Sequence, residues 1–306
     1  MTAVLLDGSD VIVTGRRPDR MFRVSVEGGR VMVYVYGEGH DEIILCLNGG
    51  PGVASQYMRD TFWVLAERGY RVVVHDQLGT GASDRPEDAG LWKLRRYVEE
   101  VEAVRQASGG GRVHLLGHSW GGWLGIEHAV SHPDKLKSCI FSSTCANMPL
   151  HIQELRRLLS EFGAETLAMV DRLETTGSLS SRLYDAVRTL FYGRHSSRQA
   201  YLAGSTSSSD VSMQIQVALW GPAEFSATGE LATWNRLTDL RRVLVPSLVL
   251  VGAYDYLTPR SAELIQSHFP NARLVMFRES GHAPHLDEPE AYFDTVAKFL
   301  DRVSRQ

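Results

Sequence analysis

The sequence predicts an α/β architecture, a mostly parallel sheet covered by helices on both faces and interrupted late in the chain by a helical insertion. Three observations predict it. Apolar, β-branched runs alternate with helix-period segments in both halves of the chain, as crossover connections require. The stretch 147–236 carries helix-period runs and no strand signal. A glycine-flanked serine directly follows one strand run and opens a helical pattern.

In chain order, residues 22–26 and 31–36 read as an antiparallel start, and 43–47, 72–75 and 113–116 as short continuous apolar runs of buried strands. A further strand is expected at 136–142, and two more, 247–251 and 273–277, follow the insertion. Helices are expected at 54–68, 91–107, 120–132, 259–268 and 289–303, and within the insertion at 151–162, 166–173, 181–192 and 211–220. Residues 1–146 and 237–306 therefore form the expected core, and 147–236 a cap inserted after the sixth core strand. The polar run 204–209 reads as a mobile loop at the mouth of that cap.

The chain has 306 residues, 43% hydrophobic and 22% charged, enough for one large domain with an insertion. A net charge of -4 and the lack of a basic stripe argue against a nucleic-acid partner. Charged residues break every apolar run in the first thirty positions, so neither a leader nor a membrane span is expected, and the expected location is the cytoplasm. Cys46, Cys139 and Cys145 lie in or beside strand runs without C-x-x-C spacing and read as small core residues. His128 and His132 are four apart on a helix but lack the glutamate of H-E-x-x-H, so no metal is expected. No glycine-rich nucleotide motif follows a strand, and no cofactor is expected.

Gly117-His118-Ser119-Trp120-Gly121 has the form of a nucleophile elbow. Its turn is tight enough that side chains at the flanking glycines would collide. A serine hydroxyl needs a base to take its proton and a carboxylate to orient that base. In chain order the partners should follow the serine. Asp255 falls in the loop after the seventh core strand and His282 in the loop after the last. Gly281 favours His282 over His285, while Asp287 and Glu288 read as the cap of the final helix. Asp76 and Asp84 flank the turn 79–81 and read as braces. The glycine-rich turn 48–52 follows a strand, so its backbone should supply one oxyanion donor, Gly50 in preference to Gly49, and Trp120 the other.

Asn48-Gly-Gly-Pro-Gly52, Asp76-Gln-Leu-Gly-Thr-Gly-Ala-Ser83, the elbow, Trp220-Gly-Pro-Ala-Glu-Phe225, Asp255 and His282 together resemble the proline iminopeptidase family of α/β-hydrolases. The resemblance implies a core of about eight strands, a Ser119–Asp255–His282 triad, and cleavage of an amide after a residue with a free α-amine. It further implies that Glu224 binds that ammonium from the cap. The family's second carboxylate, directly after the triad acid, is replaced here by Tyr256. Tyr256, Trp220 and Gly49 are expected to touch substrate, and Trp63, Trp123, Phe225 and Tyr254 to line an apolar pocket or serve as core. The expected substrate is a short peptide or an aminoacylated metabolite. An esterase or lactonase for an apolar ester, and a slow-turnover receptor, stay open.

Overall fold

Apolar side chains alternate along the central strands so that each strand supplies two cores at once. In β3 (Ile43–Leu47) Leu45 and Leu47 join one cluster while Ile44 and Cys46 join the other, the period of two that a pleated strand imposes. The same division runs through β5 (Val113–His118), β6 (Leu136–Ser142) and β7 (Ser247–Gly252), all buried along their length save half-buried Lys137 in β6. The computed structural model describes residues 15–197 and 211–305, with the backbone of the paired short strands Leu5–Leu6 and Asp10–Val11. The loop expected at 204–209 lies outside the described residues.

With β1 (Arg20–Val26), β2 (Gly29–Tyr36), β4 (Arg71–Asp76) and β8 (Ala272–Phe277), the sheet has eight strands in the order β8-β7-β6-β5-β3-β4-β2-β1. Only β2 runs against the others. One face is covered by α2 (Leu94–Ala107), α3 (Trp120–Ser131) and α8 (Pro259–His268). The other is covered by α1 (Gln56–Thr61), the 3₁₀ turn Phe62–Arg68 and α10 (Pro289–Ser304), which follows the short α9 (Pro284–Asp287). α3 is apolar almost all round, as a helix enclosed on every side must be.

Strand order reverses between β3 and β5. The loops leaving these two strands must diverge, and the crevice between them is where an open α/β sheet receives ligand. Those loops are the turn 48–52 and the serine elbow.

Between β6 and β7 the described chain forms α4 (Met148–Ser160), α5 (Ala164–Thr175), α6 (Arg182–His195) and α7 (Met213–Leu219). Asn147 and Ser181 cap α4 and α6 by accepting backbone N–H bonds. Leu155, Leu158 and Leu159 are buried in the same cluster as α2 and α3. Among the described residues, no helix is long and apolar enough to cross a membrane.

The helix expected at 54–68 is split, α1 giving way to the 3₁₀ turn at Phe62. Thr61 and Trp63 donate side-chain bonds to the Tyr57 and Asp60 carbonyls there, an alternative to the regular helical ladder. The three cysteines are free and buried.

Asp76 braces as its position suggested, accepting from the Ser55 N–H and hydroxyl, the Ala82 N–H and the Tyr34 hydroxyl. Burial alone would raise its carboxyl pKa, but these donors outweigh it and hold the group below its ordinary range. Because the folded pKa is depressed, the stability it contributes is complete above the unfolded value near 4 and is lost as pH falls through the folded one. Asp76→Asn is expected to lower unfolding free energy by about 2 kcal/mol at pH 7. Chemical denaturation at pH 7 and pH 3 should show the gap narrowing in acid, and an equal gap at both would refute the charge argument.

Candidate active site

Ser119 stands between β5 and α3 with φ 56° and ψ -121°, a left-handed conformation that costs a serine energy and must be held by its surroundings. Three contacts hold it. Its N–H donates to the Ser142 carbonyl at 3.0 Å, and its own carbonyl accepts from Gly122 N–H at 2.8 Å and the Thr144 hydroxyl at 2.9 Å. A Cβ at Gly117 would lie 2.3 Å from the Gly121 carbonyl oxygen, and one at Gly121 2.0 Å from that of Leu47. The elbow therefore closes only with glycine at both positions.

Asp255 follows β7 and His282 follows β8. Their loops cross so closely that a Cβ on Gly252 would fall 2.0 Å from the Gly281 carbonyl oxygen. His282 Nδ1 and Asp255 Oδ1 are 2.9 Å apart, and the same carboxylate oxygen accepts the Leu257 N–H at 2.8 Å. That leaves Nε2 as the His282 nitrogen open to a substrate-side proton. From the other side, His282 N–H donates to the His195 carbonyl at the end of α6, tying the His282 loop to the insertion.

His285 is a different kind of residue. It is enclosed by Tyr57, Phe62, His118 and Tyr292, and neither ring nitrogen has a hydrogen-bond partner among the described residues. Burial, then the charge of His282, push it down to about 3. His151, on α4, is pushed to about 3 for the same reasons. Both stay neutral through the physiological range, so among these imidazoles the carboxylate-bonded one is His282.

Glu288 takes the expected N-cap position of the last helix, its carbonyl accepting the Tyr292 N–H, but no side chain caps that helix. Asp287 accepts the Gly281 N–H and the Ser197 hydroxyl, and Glu288 the Glu279 N–H and the Ser280 hydroxyl. Both carboxylates are thus spent on the His282 loop and Ser197 rather than on the helix.

In the turn after β3, the Gly49 N–H is committed to the Tyr57 hydroxyl at 2.6 Å. It is not free for an oxyanion. No hydrogen bond engages the Gly50 N–H among the described residues. Trp120, the first residue of α3, has an N–H that the helix itself does not use. Asn48 pins the turn through bonds to the Gly49 and Val53 carbonyls. Gln77 bridges Asn48 to the Trp120 indole, a link the sequence did not reveal.

Tyr256 stacks on His282 with ring centroids 4.2 Å apart and meets Tyr192 edge-on at 5.5 Å. Burial first, then the Asp255 and Glu224 carboxylates, raise its phenol well above the ordinary range, while hydrogen bonding with Ser119 pulls the other way. The Tyr256 ring thus packs directly on the His282 imidazole. Glu224 accepts the Tyr192 hydroxyl at 2.8 Å and faces the Arg188 guanidinium at 3.6 Å. Its backbone is fixed from α5 by Glu174, which accepts the Tyr184 hydroxyl and the Phe225 N–H. Trp220 stacks on Trp123 at 6.1 Å and bonds the Ala223 carbonyl. Trp63 belongs to the layer under α10, and Phe225 packs on Tyr184 and Phe191. Tyr254 is largely exposed.

The α/β hydrolase fold model matches residues 42–289. A proline iminopeptidase of Heyndrickxia coagulans is 34% identical over 285 residues, covering 92% of this chain and 98% of that protein. The crystal structure of a proline iminopeptidase from Mycobacterium smegmatis superposes with a TM-score of 0.80 at 31% identity, covering 93% of this chain and 98% of the other. The crystal structure of VinJ superposes with a TM-score of 0.83 at 26% identity, covering 94% and 99%.

Proposed function

The chain belongs to the proline iminopeptidase family of α/β-hydrolases, and from that premise we propose that it removes an N-terminal aminoacyl group with a free α-amine from a short peptide or an aminoacylated metabolite. The observation that carries the reading is the 2.9 Å His282–Asp255 bond beside a strained Ser119. Ser119 attacks the acyl carbonyl as His282 Nε2 takes its proton, and the Gly50 and Trp120 N–H groups receive the oxyanion. His282 then protonates the leaving amine, and water drawn through the same base releases the acyl group. Residues 147–236 act as the cap over this site. Three buried free thiols suit a reducing, cytoplasmic setting.

Glu224 reads the substrate ammonium in this scheme. It already has an internal cation, Arg188, at 3.6 Å, and Tyr256 gives the amine no second carboxylate. These two observations favour one second reading, an esterase indifferent to the amine. The two separate in one experiment. On alanyl and N-acetyl-alanyl arylamides, the amine-reading enzyme cleaves only the free-amine form. Glu224→Gln should lower kcat/KM for that form by about 10- to 100-fold, the weight of one charge-assisted contact. Equal rates on both substrates, untouched by Glu224→Gln, would favour the esterase.

A further inference from the structure

A line of hydrogen bonds runs from the oxyanion turn to the catalytic histidine through two side chains that the reaction scheme does not use. The Gly49 N–H meets the Tyr57 hydroxyl at 2.6 Å, Tyr57 Oη lies 2.8 Å from His118 Nδ1, and His118 Nε2 lies 2.9 Å from the His282 carbonyl oxygen.

The protons in this line can be placed by elimination. An amide N–H only donates, so Tyr57 Oη accepts from Gly49. A carbonyl only accepts, so His118 Nε2 carries the proton given to His282. Neutral His118 then has a bare Nδ1, and the Tyr57 O–H donates to it. Every member is satisfied only with His118 neutral. Burial first, and then His285 and His282 as neighbours, keep it so.

We infer that Tyr57 and His118 are positioning residues, which lock the oxyanion turn and the His282 loop into one register across the nucleophile elbow. The inference rests on the proposed triad. The turn 48–52 leaves β3, His282 leaves β8, and three strands stand between those two strands in the sheet. Sheet pairing alone does not align their loops. His118 sits at the elbow between them. With the Gly49 amide fixed on Tyr57, the next peptide is constrained, and the Gly50 N–H is held toward the crevice. With the His282 carbonyl fixed on His118 and its N–H on His195, the imidazole is held from both sides of its backbone. Donors and base gain rate only when aimed before the reaction begins.

The experiment compares Tyr57→Phe, His118→Leu, the double variant and His118→Gln with wild type. Three quantities are measured: kcat and KM on the preferred arylamide, the rate of Ser119 labelling by a fluorophosphonate, and the melting temperature. Each single variant should lose about tenfold in kcat and labelling rate, ~1.4 kcal/mol of transition-state stabilisation, with KM changed less than about twofold. Because both act through one line, the double variant should be no slower than the slower single one. His118→Gln, whose amide can donate and accept together, should recover most of the rate. Tyr57→Phe keeps the ring against His285 and carries the test if His118→Leu does not fold. Unchanged kcat and labelling in the single variants, or losses that multiply in the double one, would overturn the inference. Failure of wild type itself to label would instead reject the serine reading, and this inference with it.

Discussion

Ser119→Ala is expected to lower kcat on free-amine aminoacyl arylamides by about 10⁶-fold, to the residue of activity that oxyanion donors and substrate binding sustain alone. The melting temperature should hardly move. The strain at Ser119 is in the backbone, at φ 56°, and alanine inherits it. The contacts that hold the residue, to Ser142, Gly122 and Thr144, all use its backbone and survive the change. Measured arylamine release should therefore vanish from a protein that still folds, and fluorophosphonate labelling should vanish with it. Retention of wild-type turnover would remove Ser119 from the chemistry.

The size of that effect follows from how little else in the crevice can act as a nucleophile. Cys46, Cys139 and Cys145 are buried, and burial pushes each thiol far from ionisation. Tyr256 stacks on His282, but its phenol is held protonated by burial and two carboxylates. None of these three thiols, nor the Tyr256 phenol, stands ready to replace the serine.

The core strands were legible in the sequence because burial on both faces forces continuous apolar runs, as in β3, β5 and β7. The elbow was legible for a steric reason, since only glycine fits where a Cβ would meet a carbonyl at 2.3 Å or less. Asp255 and His282 could be named because strand order fixes where loops emerge. The links between loops could not. Arg188 beside Glu224, Gln77 between Asn48 and Trp120, and Tyr57 on His118 join segments far apart in sequence, and no periodicity records how far a side chain reaches. The side-chain bonds of Asp287 and Glu288 went unread for a related reason. Their position before a proline-led helix is a local signal, while the His282 loop that claims them is a tertiary one. The break between α1 and its 3₁₀ extension also depends on side-chain bonds from Thr61 and Trp63 that a helix-period pattern does not contain.

At Asp255 the charge of the carboxylate bonded to His282 can be separated from its orienting effect. Asp255→Ala removes both, and kcat should fall by about 10⁴-fold. Asp255→Asn need not fall as far. The oxygen that faces His282 Nδ1 also accepts the Leu257 N–H at 2.8 Å. An asparagine that turned its amide toward His282 would set two N–H donors against each other at Leu257, so its carbonyl should stay in place and keep the Nδ1–H tautomer. What it loses is the negative charge opposite the developing imidazolium, worth ~1.5–3 kcal/mol or about 10- to 100-fold. Its NH₂ then takes the place of Oδ2, which has no hydrogen-bond partner among the described residues, so part of the penalty should appear as a lower melting temperature. The decisive comparison is kcat for the two variants side by side. A gap of about 100- to 1000-fold between them supports an acid oriented through Leu257. An Asp255→Asn enzyme as slow as Asp255→Ala would mean that the amide flips and the tautomer with it. Near wild-type rates in both would end the case for Asp255 as the orienting carboxylate.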